Sequence, residues 1–558
     1  MNGKKAAYFL QRIVLLRFKN DKEESIMKEL HLRELSVEQK LGIVMTAHVT
    51  PYDKGFDLEK NMAYTLDLIR RHAVGCVWVN PNHPQTAEYL RRIRETADYP
   101  ILICTDAESG LKPYMIGQHG TLAISGNPKR AYTFGRVTAI TARRMGYNVI
   151  CDPVLDMGRE NGICNDVTRR MGGDPEKVIP MAVAMSRGIL DGGIIPLVKH
   201  YPGVGGPVDT HMGINRNSLT KEDLLAYSLK PYAALIREKL LFAVMAGHGT
   251  VGGVDGDTPT TVSAQILSII REMGFDGPIM TDALGMYAIV SKYGRHACKG
   301  MTIGAGCDLT LGYHSVQEDY EDLLAAYRNH VIPDERLDEA ARRVLALQRQ
   351  AMLLQRENAP LEMTEEDDRA FQAINDDAIA TILDEGVPLA LDRQARHCFV
   401  VLEKNLGLSP SDNKVPPVDT FQTGWYRPDL LKEKLLELFP HSVVTMYNEF
   451  PTPTQTLRMF HAQESCEDCV FVTFYNGGAL AGAEHLTWPV ISAMEALQSC
   501  GRISTLVHMG NPFILEDLPH IGRRIVACRE TGNNLRALEA LAGLHPANGH
   551  IPYDLKLK

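Results

Sequence analysis

Eight short apolar runs recur along the first 312 residues: 43-IVMTAHV-49, 74-VGCVWVN-80, 101-ILICTD-106, 148-NVICDPV-154, 194-IIPLVKH-200, 242-FAVMAGH-248, 278-PIMTDA-283 and 306-GCDLTLG-312. They are apolar at nearly every position instead of alternating, which is the pattern of parallel strands covered on both faces. Between them lie longer segments with helical spacing, such as DLEKNMAYTLDLIRRH, AYTFGRVTAITARRMG and SLTKEDLLAYSLKPYAALIREK. The last opens on a Ser/Thr cap with acidic residues close behind. Eight strand–helix alternations are the number that closes a TIM barrel.

Beyond residue 352 the charged stretch QRENAPLEMTEEDDRA breaks this rhythm and reads as a linker with a leading helix. A second set of apolar runs follows, 396-RHCFVVLE-403, 442-SVVTMY-447, 469-CVFVTFY-475, 503-ISTLVHMG-510 and 523-RRIVAC-528, again with helices between. The expected fold class is therefore α/β: a (β/α)8 barrel over 28–352, a linker over 353–380 and a smaller α/β/α sandwich over 381–558, its sheet mostly parallel. The first 27 residues are expected to lie outside the fold, since MKELHLRELSVEQKLGIVM reads as a domain start. The basic N-terminus is a poor secretion signal, because Gln11, Arg12 and Arg17 interrupt its apolar part and no small-residue cleavage site follows.

A chain of 558 residues exceeds one compact core, in keeping with two domains. A formal charge of −9, without a dense Lys/Arg tract, argues against nucleic acid as a partner. No apolar run reaches the roughly 18–20 residues that span a bilayer. Most of the 11 cysteines sit in apolar runs, as small hydrophobes do, and one CxxC (Cys466, Cys469) is a weak metal or redox signal. A reducing, cytoplasmic setting is the simplest expectation.

Polar residues concentrate where the first set of runs ends: Asp106, Asp152, Lys199 with His200, His248 and Asp282. In a barrel all these ends open onto one face, where such folds carry their chemistry. The segment 198-VKHYPGVGGPVDTHMGIN-215 adds a glycine-rich loop with Asp209 and His211. A metal centre could draw on His200, Asp209, His211, His248 and Asp282. Such centres commonly take paired histidines from the first strand, which here offers His48 alone, and no Cys or Glu joins the set. No metal and no cofactor is expected. PGVGG could cradle a phosphate but matches neither common phosphate-loop spacing. An Asp two residues from a His on a loop can accept its Nδ1–H and raise the basicity of Nε2, which makes a general acid/base. Asp282, ending an apolar strand, needs a charge partner, and Lys199 is the expected one. An ionised carboxylate facing a general acid is the arrangement of a retaining glycosidase.

These residues also carry a family resemblance. KHYPG followed by DTH resembles the KHFPGHG…DSH segment of glycoside hydrolase family 3, in the branch of bacterial β-N-acetylglucosaminidases. FDGPIMTDALGM is similar to that family's nucleophile region, ICTDAESG to its DxEGG turn, TRRMGGDP to its RSFGxDP and AGCDL to its AGaDm. The tail from CGRISTLVHMG to GHIPYDL resembles the second domain of longer members, so the likeness covers roughly residues 28–555. It implies Asp282 as nucleophile, His211 with Asp209 as the acid/base dyad, and Asp106, Arg169, Lys199 and His200 as holders of the sugar hydroxyls. Val204 stands where the family has a histidine, the His200–Asp209 spacing is one residue shorter, and ESGL replaces EGGR, placing Leu111 where an arginine supports the turn.

The resulting expectation is an exo-acting retaining hydrolase of terminal β-linked N-acetylglucosamine or a related sugar, working on a small carbohydrate without nucleic-acid or membrane partners. A homodimer is compatible with it. Three alternatives stand beside it: a phosphorylase of the same fold, a weakly active or non-catalytic sugar-binding homologue, and, further off, a metal-dependent barrel hydrolase.

Overall fold

The computed structural model describes residues 27–50, 57–157, 168–206, 208–312, 315–357, 362–403, 426–475, 486–528 and 530–558. The extension expected over 1–27 thus falls outside the described residues, Met27 apart.

Eight strands close into a barrel: β1 (Met45–His48), β2 (Cys76–Trp78), β3 (Leu102–Thr105), β4 (Val149–Ile150), β5 (Ile195–Tyr201), β6 (Ala243–Ala246), β7 (Ile279–Ala283) and β8 (Leu309–Leu311). Every neighbouring pair is parallel, and β8 returns to β1 with Leu311 opposite Thr46. Residues of β1, β2, β3, β4, β6 and β8 are buried throughout, which is why those runs carry no alternation. Helices Pro128–Met145 and Pro175–Asp191 each start with a capping Asn or Asp and a first-turn proline. They touch through glycines: a Cβ on Gly188 would lie 2.2 Å from the Tyr132 carbonyl oxygen, and one on Gly135 2.4 Å from that of Met185. None of the described helices is long and apolar enough to cross a membrane.

The second domain is a six-stranded sheet built from β9 (Ile379–Leu383), β10 (His397–Glu403), β11 (Val443–Asn448), β12 (Asp468–Tyr475), β13 (Ile503–Gly510) and β14 (Arg523–Ala527), in the order β9-β14-β13-β12-β10-β11. All pairs are parallel except β9–β14. Alternate residues feed two separate cores: Cys398, Val400 and Leu402 join one, Phe399 and Val401 the other. Two apolar layers on opposite faces of one sheet make the sandwich. Cys466 and Cys469 are buried in the first layer, Cys469 in register with Cys398.

The expected linker is the main difference. Helix Asp334–Glu357 runs through residue 352, and a second helix, Glu365–Asp377, occupies the middle of 353–380. Its acidic start is a capping box between Thr364 and Asp367, while Phe371 and Ile374 enter the barrel's own core. Arg130 and Arg136 on the barrel bind Asp377 and Asp367. The density of charge in TEEDDRA concealed a narrow apolar face, so the segment docks instead of tethering. The antiparallel edge strand β9 begins within the same stretch.

Candidate active site

The chain leaving strands β3 to β7 delivers the polar side chains of the barrel mouth. At β5, Lys199 and His200 are adjacent but bind different carboxylates. Lys199 donates to Asp106 Oδ1 at 2.6 Å and lies 2.6 Å from Glu108 Oε1. Arg169 closes the group with two bonds to Glu108, Nε to Oε2 at 2.6 Å and Nη2 to Oε1 at 2.7 Å. The Lys199 side chain is 3% exposed and that of Asp106 48%, so a buried cation is covered by a carboxylate that still meets solvent. Burial disfavours the Lys199 charge, but Asp106 and Glu108 outweigh it and hold the ammonium well above its usual pKa. Burial likewise works against the Glu108 carboxylate, and Arg169 with Lys199 overcomes it, leaving Glu108 well below the ordinary range.

His200 goes the other way. Its ring Nδ1–H donates to Asp156 Oδ2 at 2.7 Å, its backbone N–H to Asp156 Oδ1 at 3.2 Å, and its Nε2 lies 3.7 Å from Asp282 Oδ2. Burial alone would discharge His200; Asp156 outweighs it and raises the pKa above the usual imidazole value. Burial would also push the Asp282 carboxyl up, but the charge of His200, foremost among the neighbouring histidines, brings it below the aspartate norm. Lys199 is thus not the partner expected for Asp282; His200 is.

Asp282 Oδ1 also accepts the N–H of Ala283 at 2.7 Å. His248, fully enclosed and pushed down by burial, is a neutral imidazole that donates Nε2–H to the Ala283 carbonyl at 3.1 Å while its Nδ1 lies 2.9 Å from the Thr261 hydroxyl. It braces the backbone of the turn that carries Asp282.

The loop after β5 holds the dyad. Asp209 Oδ1 accepts the His211 backbone N–H at 2.9 Å and the ring Nδ1–H at 2.7 Å. The Asp209 side chain is 4% exposed and that of His211 32%, which leaves Nε2 on the open side. The loop lies over the end of β7: Ala288 N–H donates to the Thr210 carbonyl and Tyr287 N–H to that of His211. Its glycines serve close approach more than looseness, since a Cβ on Gly205 would lie 1.9 Å from Arg170 Nη2 and one on Gly206 1.9 Å from Asn215 Oδ1. Pro207 lies outside the described residues. Val204 bridges Met157 and packs against the barrel core, and Leu111 is buried in a short hairpin, so both departures from the family motifs are apolar contacts.

Asp152 does not reach the mouth. It is fully buried, 3.2 Å from His119 Nε2, and burial raises its carboxyl above the usual value. Two carboxylates that the sequence reading passed over, Glu108 and Asp156, stand in the places that matter. Among the described residues, no group of three or more His, Cys, Asp or Glu converges as metal ligands would.

The closed parallel barrel and its strand-end cluster define a TIM-barrel protein with a polar site paired two by two: a carboxylate beside a histidine, an Asp–His dyad, and buried cations held by acids. Residues 59–347 match the Glycosyl hydrolase family 3 N terminal domain, and the chain belongs to that family. It is 28% identical over 309 residues to the beta-N-acetylglucosaminidase/beta-glucosidase of Cellulomonas fimi, covering 52% of this chain and 54% of that protein. It is 32% identical over 179 residues to the beta-hexosaminidase LpqI of Mycobacterium tuberculosis, covering 30% and 45%. The chain thus spans about half the length of these curated relatives. Among solved structures, a family 3 beta-N-acetylglucosaminidase from Paenibacillus sp. str. FPU-7 superposes with a TM-score of 0.76 at 24% identity, over 94% of this chain and 100% of that one. The beta-glucoside phosphorylase BglX does so with 0.77 at 20%, over 99% and 96%. At these identities the superpositions speak for the fold of both domains.

Proposed function

We propose that the chain is an exo-acting retaining glycoside hydrolase that releases terminal β-linked N-acetylglucosamine or a closely related sugar. The observation that carries this reading is the Asp209–His211 dyad lying, through its backbone bonds to residues 287 and 288, over the strand end that presents an ionised Asp282. In the first step an Asp282 oxygen bonds to the anomeric carbon as the bond to the leaving oxygen breaks. The imidazolium of His211 gives its Nε2 proton to that oxygen. In the second, neutral His211 takes a proton from water, the water oxygen bonds to the same carbon, and Asp282 departs as a carboxylate. Lys199, Arg169 and Asp106 would hold the sugar hydroxyls, with Glu108 fixing both cations; His200, expected beside them, has its ring nitrogens turned to Asp156 and Asp282 instead. The names of the curated relatives support the N-acetylglucosamine preference.

The test is Asp282→Ala and His211→Ala on an aryl β-N-acetylglucosaminide. Both should lose at least ~10²-fold in kcat; Asp282→Ala within a few-fold of the parent would end the reading.

One observation favours a second outcome for the glycosyl-enzyme. The acid/base is an imidazole, which once deprotonated does not repel an incoming anion, and phosphate could take the place of water. A sugar 1-phosphate formed in phosphate buffer would establish phosphorolysis; free sugar alone would exclude it. The ten described cysteines form no disulfide and nine are buried, which supports a reducing, cytoplasmic setting.

A further inference from the structure

Asp156 has no part in the steps above, yet it binds a mouth residue, His200, through both of its oxygens. Its side chain is 5% exposed, and its two oxygens take both donors that His200 offers it, the ring Nδ1–H and the backbone N–H. With Nδ1 engaged, the other ring nitrogen faces Asp282. The remaining charged and titratable groups near this line are few. Arg169 and Arg170 act on Asp156, with Tyr232 beside it; Arg169 also acts on His200; His248 and His211 act on Asp282. His248 is neutral and committed to Thr261 and the Ala283 carbonyl.

We propose that Asp156 is a positioning residue of the reaction: by binding both the backbone and the ring of His200, it aims the His200 Nε2 at Asp282, 3.7 Å away, so that the attacking carboxylate meets one oriented imidazole. The proposal rests on Asp282 being the nucleophile. Its main consequence falls on the second step. In the free protein the His200 cation answers two carboxylates. Once Asp282 has become an ester its charge is gone, and Asp156 alone keeps a buried His200 protonated. The departing carboxylate then regenerates beside a cation already in place, with no reorganisation needed. Without the Asp156 charge, His200 would lose its proton at the ester stage and Asp282 would become a poorer leaving group.

The experiment compares the full-length parent with Asp156→Asn and Asp156→Glu, using two readouts. The first is the pH titration of the His200 ring followed by NMR at its Cε1–H, assigned with His200→Gln. Asp156→Asn should move that titration down by about one pH unit or more, while Asp156→Glu holds it near the parent. The second uses a dinitrophenyl β-N-acetylglucosaminide, whose activated leaving group makes ester breakdown limiting. Here kcat and KM should fall together in Asp156→Asn, kcat by about 10–100-fold, the usual cost of losing a histidine's supporting carboxylate, with partial recovery in Asp156→Glu. An unmoved His200 titration in Asp156→Asn overturns the proposal. So does a moved titration that leaves ester breakdown at the parent rate. Absence of any ester on Asp282 in the parent would instead overturn the proposed function, while the titration still decides whether Asp156 governs His200.

Discussion

Replacing Glu108 with glutamine tests whether the Lys199–Arg169 group is held by charge. The two side chains have nearly equal volume, so packing is preserved and only the electrostatics change. Glu108 receives three charge-assisted bonds of 2.6–2.7 Å. A glutamine Oε1 can still accept from Lys199 and from Arg169 Nη2, but its amide N–H2 then opposes Arg169 Nε. The opposed donors cost about 1–3 kcal/mol and the two weakened bonds about 1 kcal/mol together, for a total of about 3 kcal/mol at neutral pH. The pH dependence has a definite sign. Burial works to raise the Glu108 carboxyl, and Arg169 and Lys199 overcome it to depress the folded-state pKa. Its stabilisation is therefore fully present above the unfolded glutamate value of about 4.3 and is lost as pH falls toward the depressed one. Urea unfolding of parent and Glu108→Gln at pH 7 and pH 4 measures both effects, and the gap between them should narrow at the lower pH. A gap below about 0.5 kcal/mol at pH 7, the usual scatter of a neutral surface change, would refute the reasoning. A gap that widens on acidification would do the same.

Asp209→Asn keeps an acceptor for the His211 Nδ1–H but removes the charge, so kcat/KM should fall about 10²-fold on glycosides with poor leaving groups and far less on dinitrophenyl glycosides; equal losses of kcat/KM on both would contradict the dyad. The acid limb of kcat/KM should lie below the usual aspartate value of about 3.9, because the His200 charge outweighs burial at Asp282, and His200→Gln should move that limb upward. Gly188→Ala gains about 1 kcal/mol of helix propensity but sets a methyl 2.2 Å from a carbonyl oxygen; the net should be a loss of about 1–2 kcal/mol in thermal or urea unfolding.

The barrel was legible because its strands are buried on both faces and so lack polar interruptions until their ends. For the same reason the mouth residues stood out. Where the reading slipped, the cause was local geometry. Asp152 follows its apolar run immediately and looked like the mouth residue of β4. The chain stays extended past it, with Val154 bridging Lys199, so the side chain that arrives at His200 is Asp156, four residues on. Glu108 was overlooked two residues beyond Asp106, since the spacing does not tell which carboxylate takes the arginine. Lys199 and His200 were both legible as site residues, but adjacency cannot say which faces Asp282. A leading helix was legible in the charged stretch, but the docking of 365–377 on the barrel was not, because the acids of that helix outnumber its apolar positions.

That last helix also bears on the site. Phe371 sits edge-on to Tyr114, with ring centroids 5.4 Å apart, and Asp368 takes the Tyr114 hydroxyl. Tyr114 belongs to the hairpin that begins at Gly110, two residues after Glu108. The turn presenting Asp106 and Glu108 is therefore buttressed from outside the barrel by chain lying beyond its final helix. A fragment cut at residue 352 would keep every candidate side chain and lose the prop beneath two of them, so a fragment that keeps this turn supported extends at least to about residue 378.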